Sequence, residues 1–361
     1  MDILGATAQY EKWMAARIRV VKEDLTYKHE QMRKSPFAFL RATFYRWIQL
    51  WKEFCETEAS APAVLAVGDL HIENFGTWRD SEGRLIWGIN DFDEAFPLPY
   101  TFDLVRLGTS ARLAIKSENL TIGALEACDA ILEGYNEAIR SGGRPFVLDE
   151  EHVGLREIAL GELRDPVQFW TKMRKLPYFS QKPSRDLTSA LELLLPKDEV
   201  SYRIKRRRAG LGSLGRPRLV ALADWRGGPI AREAKAALPS ACSWNKGHTD
   251  TGRILYSEII EKAVRVPDPF VKLCGNWIVR RLAPDCSKIE LDSLPRKRDE
   301  ARILHAMGFE TANVHLGTQR AVKNIQSDLG KRPAGWLHKV SKKMVNAVQS
   351  DWQQWKKSAK V

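Results

Sequence analysis

The chain has 361 residues, 44% apolar and 28% charged, with a formal net charge of +12. This excludes a disordered or low-complexity chain, and the length favours two lobes over a single core. No apolar run is long enough to span a membrane, the acid-containing start "MDILGATAQYEKWMAARIRVVKED" does not read as a signal peptide, and the five scattered cysteines suit neither a zinc site nor a disulfide scaffold, so a cytoplasmic protein is expected.

In chain order, "PFAFLRATFYRWIQLWKEF" (36–54) spaces its large apolar residues as one helical face. "PAVLAV" (62–67) and "RLIWGI" (84–89) read as strands, with "RDSEG" (79–83) as a hairpin turn between them. Helices are expected over 102–117, 120–141 and 185–195. From about 200 to 240 the texture changes to strand-like runs broken by glycine: "RLVALAD" (218–224), the turn "WRGGP" (225–229) and "IAREAKAA" (230–237). Residues 253–265 return to helical spacing, "NWIVRRLA" (276–283) is strand-like, and 297–326 and 340–357 are helical. Basic clusters stand at 204–208, 279–281, 295–298 and from Lys339 to Lys360. They read as a solvated surface, or as attraction to phosphorylated ligands or nucleic acid. No nucleic-acid-binding module is recognisable, so that partner stays secondary.

Two short segments carry the densest chemistry: "GDLHIENFG" (68–76) and "INDFDEAF" (89–96). Asp69, at the end of a strand, can accept a proton from a substrate hydroxyl. The carbonyl of Asn74 and the carboxylate of Asp91 can hold a divalent cation. Mg²⁺ needs only a few protein oxygens when phosphates complete its shell. These are the parts of phosphoryl transfer. The plainer alternative is a turn followed by an acidic loop. His71 reads as a residue of the catalytic loop that steadies it through a backbone bond, or as a buried turn histidine, and His315 as packing. "GLGSLG" (210–215), with Gly210, Gly212, Ser213 and Gly215, is a weak match alone. The strand, turn and second strand that follow, the last ending at Lys235, are the order expected of a loop over nucleotide phosphates with a lysine reaching them. Glu258 or Glu261 of the next helical stretch is expected to pair with Lys235.

This order is inverted for a kinase, since the glycine loop follows the catalytic loop. Read as a circle it is preserved, and compact folds tolerate permutation at exposed joints. "SPFAFLR" (35–41), "GDLHIENFG" and "INDFDEAFPLPYTFDLVRL" resemble the signature segments of the bacterial family called domain of unknown function 2252. "GDLHIEN" and "INDFD" are also similar to the aminoglycoside and choline phosphotransferase branch of the kinase-like superfamily. The resemblance implies that Asp69 is the catalytic base, that Asn74 and Asp91 are metal ligands, and that Asp103 buttresses the catalytic loop. It departs from that pattern at Val67, where histidine is common, and at Asp93, where glycine is.

The resulting expectation is an α+β, bilobal, circularly permuted kinase-like fold. Residues 1–200 would form a mainly helical lobe with the catalytic and metal loops, 201–290 a β-rich nucleotide lobe, and 291–361 helices packing back on the first. The expected function is ATP- and Mg²⁺-dependent phosphoryl transfer to a small-molecule acceptor. Transfer of AMP and a nucleotide-binding pseudokinase or scaffold are the alternatives.

Overall fold

The computed structural model describes residues 1–117, 120–148, 152–161, 163–197, 200–246, 252–286 and 297–358. The basic run at 295–298 and the boundary near 290 fall outside the described residues or side chains, as do the last residues of the basic tail.

The N-terminal helices are α1 (Ile3–Ala15), α2 (Lys22–Lys34), α3 (Pro36–Ala42), α4 (Phe44–Phe54) and the short α5 (Glu56–Ala59). Asp2 caps α1 by accepting from Gly5 N at 2.8 Å, and Ser35 caps α3 by accepting from Ala38 N at 3.1 Å. The single helix expected over 36–54 is two. Thr43 stands between them, its hydroxyl donating to the Phe39 carbonyl at 2.7 Å, a local bond that competes with the helical ladder. Trp47 and Trp51 of α4 are buried against Phe102.

Strand β1 (Ala63–Ala66) pairs antiparallel with β4 (Phe96–Pro99), whereas β2 (Phe75–Arg79), β3 (Leu85–Ile89) and β5 (Phe146–Val147) form a separate sheet. The turn at 80–84 therefore joins β3 to β2, which directly follows "GDLHIEN", and not to the strand at 63–66. Asp80 holds that turn by accepting from the backbone of Glu82 and Arg84. Helices α6 (Tyr100–Ser117), α7 (Ala124–Ser141), α8 (Val153–Gly161), α9 (Pro166–Lys175) and α10 (Arg185–Glu192) follow.

The second half opens with β6 (Tyr202–Arg206), β7 (Arg218–Trp225) and β8 (Gly228–Ala236), continues through α11 (Ala241–Lys246) and α12 (Tyr256–Lys262), and returns as β9 (Val271–Cys274) and β10 (Trp277–Leu282). These strands form one antiparallel sheet of order β6-β7-β8-β10-β9. One face packs Leu219, Ala221, Ala234 and Val279 on Leu187 and Leu191 of α10. The other packs Val220, Ala231 and Leu282 on Phe169 and Met173 of α9. The chain closes with α13 (Lys297–His315), α14 (Val322–Lys331) and α15 (Trp336–Lys357). The helix expected to run to 326 is thus broken after His315. Helix α13 lies along α7, and α15 crosses α6. Their buried faces, including Tyr135, Met307, Leu337 and Met344, join one core with α3, α4 and β1. The chain is a mixed helix-and-sheet structure with several small sheets. No helix among the described residues is long and apolar enough to cross a membrane.

Candidate functional site

The "GDLHIEN" segment leaves β1 and is held from beneath by α6. Asp103, fully buried, accepts from Val67 N at 2.7 Å and Gly68 N at 2.9 Å. His315 donates Nε2 to the same carboxylate at 3.0 Å, and its Nδ1 meets the Tyr135 hydroxyl at 2.9 Å. His315 therefore positions Asp103 as well as packing. Gly68 has φ +84°, and a Cβ there would meet the Glu94 carbonyl at 2.3 Å, so only glycine fits.

Asp69 is bound by Arg106, which lies one helical turn beyond Asp103 on the same face of α6. Arg106 is wholly buried, donates to the Leu40 carbonyl at 3.1 Å, and stacks against Phe44 and Trp47. Burial raises the Asp69 carboxyl above its ordinary value, opposed by Arg106. A raised carboxylate is the more competent proton acceptor at neutral pH. The ring of His71 accepts from Glu73 N at 3.2 Å while the Asn74 side-chain oxygen accepts from His71 N at 3.1 Å. This reciprocal cap fixes the turn at 72–74. Glu73 in turn binds Arg41 of α3.

The second acidic segment meets β8. Lys235 lies 3.4 Å from Asp91 and 2.6 Å from Asp93. Arg216 reaches Asp93 at 3.4 Å and Glu94 at 2.9 Å. Burial, then the neighbouring Asp91, push the Asp93 carboxyl up, while Lys235 and Arg216 oppose the rise. The pairing expected between Lys235 and Glu258 or Glu261 is absent. Glu258, on α12, binds Lys262 at 2.7 Å and Arg253 at 3.0 Å, and Glu261 is exposed. Asp93 supplies the carboxylate that the helix was expected to give.

The glycine segment is the connection between β6 and β7. Gly210 and Gly215 adopt positive φ, and Ser213 accepts from Arg218 at 2.7 Å. A Cβ at Gly212 would lie 3.3 Å from Asp69 Oδ2, so the loop is seated directly over the catalytic candidate. Helix α2 holds it there: Lys28 donates to the Gly212 carbonyl at 3.1 Å, and Val21 N donates to the Gly215 carbonyl at 2.9 Å. Burial lowers the Lys28 ammonium to about 8.

Two cavities meet at Asp91 and Gly210. The smaller, about 50 Å³, is bordered by Asp69, Asn74, Asp93, Lys28, Arg41 and Gly212. The larger, about 140 Å³, lies toward α12 and β10. Asp69, His71, Asn74, Asp91 and the glycine loop therefore line one site, with Lys235 bonded to its acidic segment, Asp103 beneath it and Glu258 and Glu261 outside it. Sequence reading missed Arg106, which the i, i+3 spacing from Asp103 could have exposed. It also missed Lys28 and Arg216, for which no local pattern gives a signal.

The geometry can bring a proton acceptor, oxygen ligands for a hard cation and a lysine to one place. Residues 19–165 match the model of a family described as "Uncharacterized protein conserved in bacteria (DUF2252)". That stretch holds Asp69, His71, Asn74, Asp91, Asp103 and Arg106, but neither the glycine loop nor Lys235. Comparison with curated proteins and with solved structures gives no match.

Proposed function

We propose that this protein is an ATP- and Mg²⁺-dependent phosphotransferase acting on a small molecule, built on a circularly permuted kinase-like fold. The observation that carries the reading is the meeting of Asp69, Asn74 and Asp91 with Lys235 and the glycine loop, although their segments are far apart in the chain. The permuted reading draws support from the antiparallel sheet in which a glycine-rich connection joins the first two strands and a lysine stands on the third. It also draws support from Asp103 bracing the loop that bears Asp69.

In this reading Asp69 orients the acceptor hydroxyl and takes its proton, while Arg106 keeps the carboxylate aimed. The residues present fit a hard cation. The Asp91 side chain is 41% exposed, Asp93 Oδ1 is buried without a hydrogen bond, and Asn74 borders the same cavity. Among the described residues no three His, Cys, Asp or Glu side chains form a metal-binding group. Mg²⁺ commonly takes few protein oxygens and completes its shell with water and phosphate. Mg²⁺ bound there would neutralise phosphate charge. Lys235, released from Asp93, would contact a donor phosphate. The small cavity beside Asp69 supports a compact acceptor.

The test is incubation with ATP, Mg²⁺ and a fractionated small-molecule extract, read by product mass. A gain of one phosphate, lost in Asp69→Asn, is expected. A gain of AMP would replace this reading by nucleotidyl transfer. Nucleotide binding without any product would leave a pseudokinase.

A further inference from the structure

Among the described residues, the larger cavity is lined by Arg164, Arg207, Arg218, Arg265, Arg280 and Arg281, against the carboxylates of Asp91 and Asp268. Several of these guanidiniums are incompletely compensated. Arg207, Arg218 and Arg280 all converge on the single carboxylate of Glu233, which is fully buried on β8. Arg281 reaches Asp285 at 3.4 Å, and that carboxylate is already bonded to Arg79 at 3.0 Å. Arg265 is clamped between the rings of Trp78 and Phe92, with its Nε and Nη1 buried and without hydrogen-bond partners. Arg281 Nε is likewise unpartnered. Buried donors of this kind are costly to leave unmade, and guanidinium forks match phosphate oxygens.

The register of the sheet bears on what kind of phosphate ligand fits. Val220 lies opposite Glu233, Glu233 opposite Arg280, and Ala231 opposite Leu282, so all share the face that borders this cavity. The apolar residues Val220, Ala231 and Leu282 of that face pack on Phe169 and Met173 of α9. Of the aromatic rings that also border the cavity, Trp78 and Phe92 are covered by Arg265 and Tyr256 is buried edge-on against Phe92, so no free ring face among the described residues is offered to a base, and the charged groups lining it are mostly cationic.

We propose that this cavity binds a compact anion carrying two or more linked phosphates, recognised through the phosphate chain and not through a base. Its mouth at Asp91 and Gly210 places the end of the chain at the site described above. This rests on the reading of that site as a phosphoryl-donor cleft, and it extends the donor class to base-free polyphosphate.

The experiment is isothermal titration of the full chain with sodium tripolyphosphate, ATP, AMP and adenosine, without Mg²⁺ or acceptor. Tripolyphosphate and ATP should bind with affinities within about tenfold of each other, with AMP weaker and adenosine silent. Arg265→Gln and Arg281→Gln should each weaken tripolyphosphate by about tenfold, the loss expected for one charge-assisted phosphate contact. Arg281, the more exposed, serves if Arg265→Gln fails to fold. ATP binding without tripolyphosphate binding would overturn the inference, because a base would then be required. Tripolyphosphate binding unchanged in both variants would overturn it too, as diffuse attraction to a basic surface. Because no turnover is needed, the two readings fail separately. Product formation without tripolyphosphate binding sinks this one alone, and the reverse sinks the proposed function alone.

Discussion

Replacing Asp103 by asparagine isolates the brace under the loop that bears Asp69. The carboxylate is inaccessible and accepts three hydrogen bonds, from Val67 N, Gly68 N and His315 Nε2. Asparagine keeps the shape but turns one oxygen into a donor. Turned toward Gly68, its amide loses one bond and sets two donors face to face. Turned toward Val67 and His315, it loses two. Charge-assisted hydrogen bonds contribute about 1.5–3 kcal/mol each, so Asp103→Asn should cost about 3 kcal/mol even in the better orientation. At about 2 °C per kcal/mol for a chain of this size, the melting temperature should fall by about 6 °C. Guanidinium unfolding should show a lower midpoint at unchanged slope. A loss below about 1 kcal/mol would refute the brace and leave Asp69 positioned by Arg106 alone.

Asp69→Asn should leave Mg²⁺-dependent nucleotide binding by calorimetry nearly intact, because the amide oxygen can still accept from Arg106, while phosphoryl transfer falls by about 10²–10⁴. Asp91→Ala should abolish both, so equal binding in the two variants would remove Asp91 from the metal role. Gly68→Ala should destabilise by at least about 2 kcal/mol in chemical denaturation, since the Cβ collides with the Glu94 carbonyl at an unfavourable φ. Burial raises the Glu310 carboxyl to about 7, with Arg265 opposing. The folded state thus holds a proton that the unfolded chain has already lost. Its contribution is complete below about pH 4.5 and disappears as pH rises through 7, by up to about 3 kcal/mol, and Glu310→Gln should flatten that fall in a pH series of melting curves.

The strands of the second half were legible because alternation and the Gly-Gly turn are local signals. The hairpin at 75–89 was half legible. Its turn and second strand stood out, but β2 was hidden because its residues continue directly from the polar "GDLHIEN" and are buried on both faces, without alternation. Strand β4 carries two prolines, which discourage a strand reading and fit here because, among the described residues, β4 pairs only with β1. Local signals also gave the acidic pair and the lysine, because each sits in a short segment with its own punctuation.

What spacing cannot give is the choice of partner for a buried charge. Lys235 had two candidate glutamates on the following helix, at the offset a kinase template suggests, yet it takes Asp93 and Asp91 from the other half of the chain. The reason lies in the neighbouring position. Glu233, two residues earlier on the same face, is held well below the ordinary carboxylate range despite its burial by Arg207, Arg218 and Arg280. Three cations around one carboxylate leave this face of the sheet positive, and Lys235 adds to it. The nearest compensation is the acidic loop opposite. The "DFD" triplet, read from sequence as a departure from a glycine pattern, is what ties the sheet to the acidic segment: Asp93 binds Lys235 and Arg216 together, while Asp91 remains partly exposed to the cavities. A glycine at 93 would leave Lys235 facing one solvent-screened carboxylate. The extra aspartate therefore trades loop freedom for a fixed distance between the lysine and the Asp91 carboxylate.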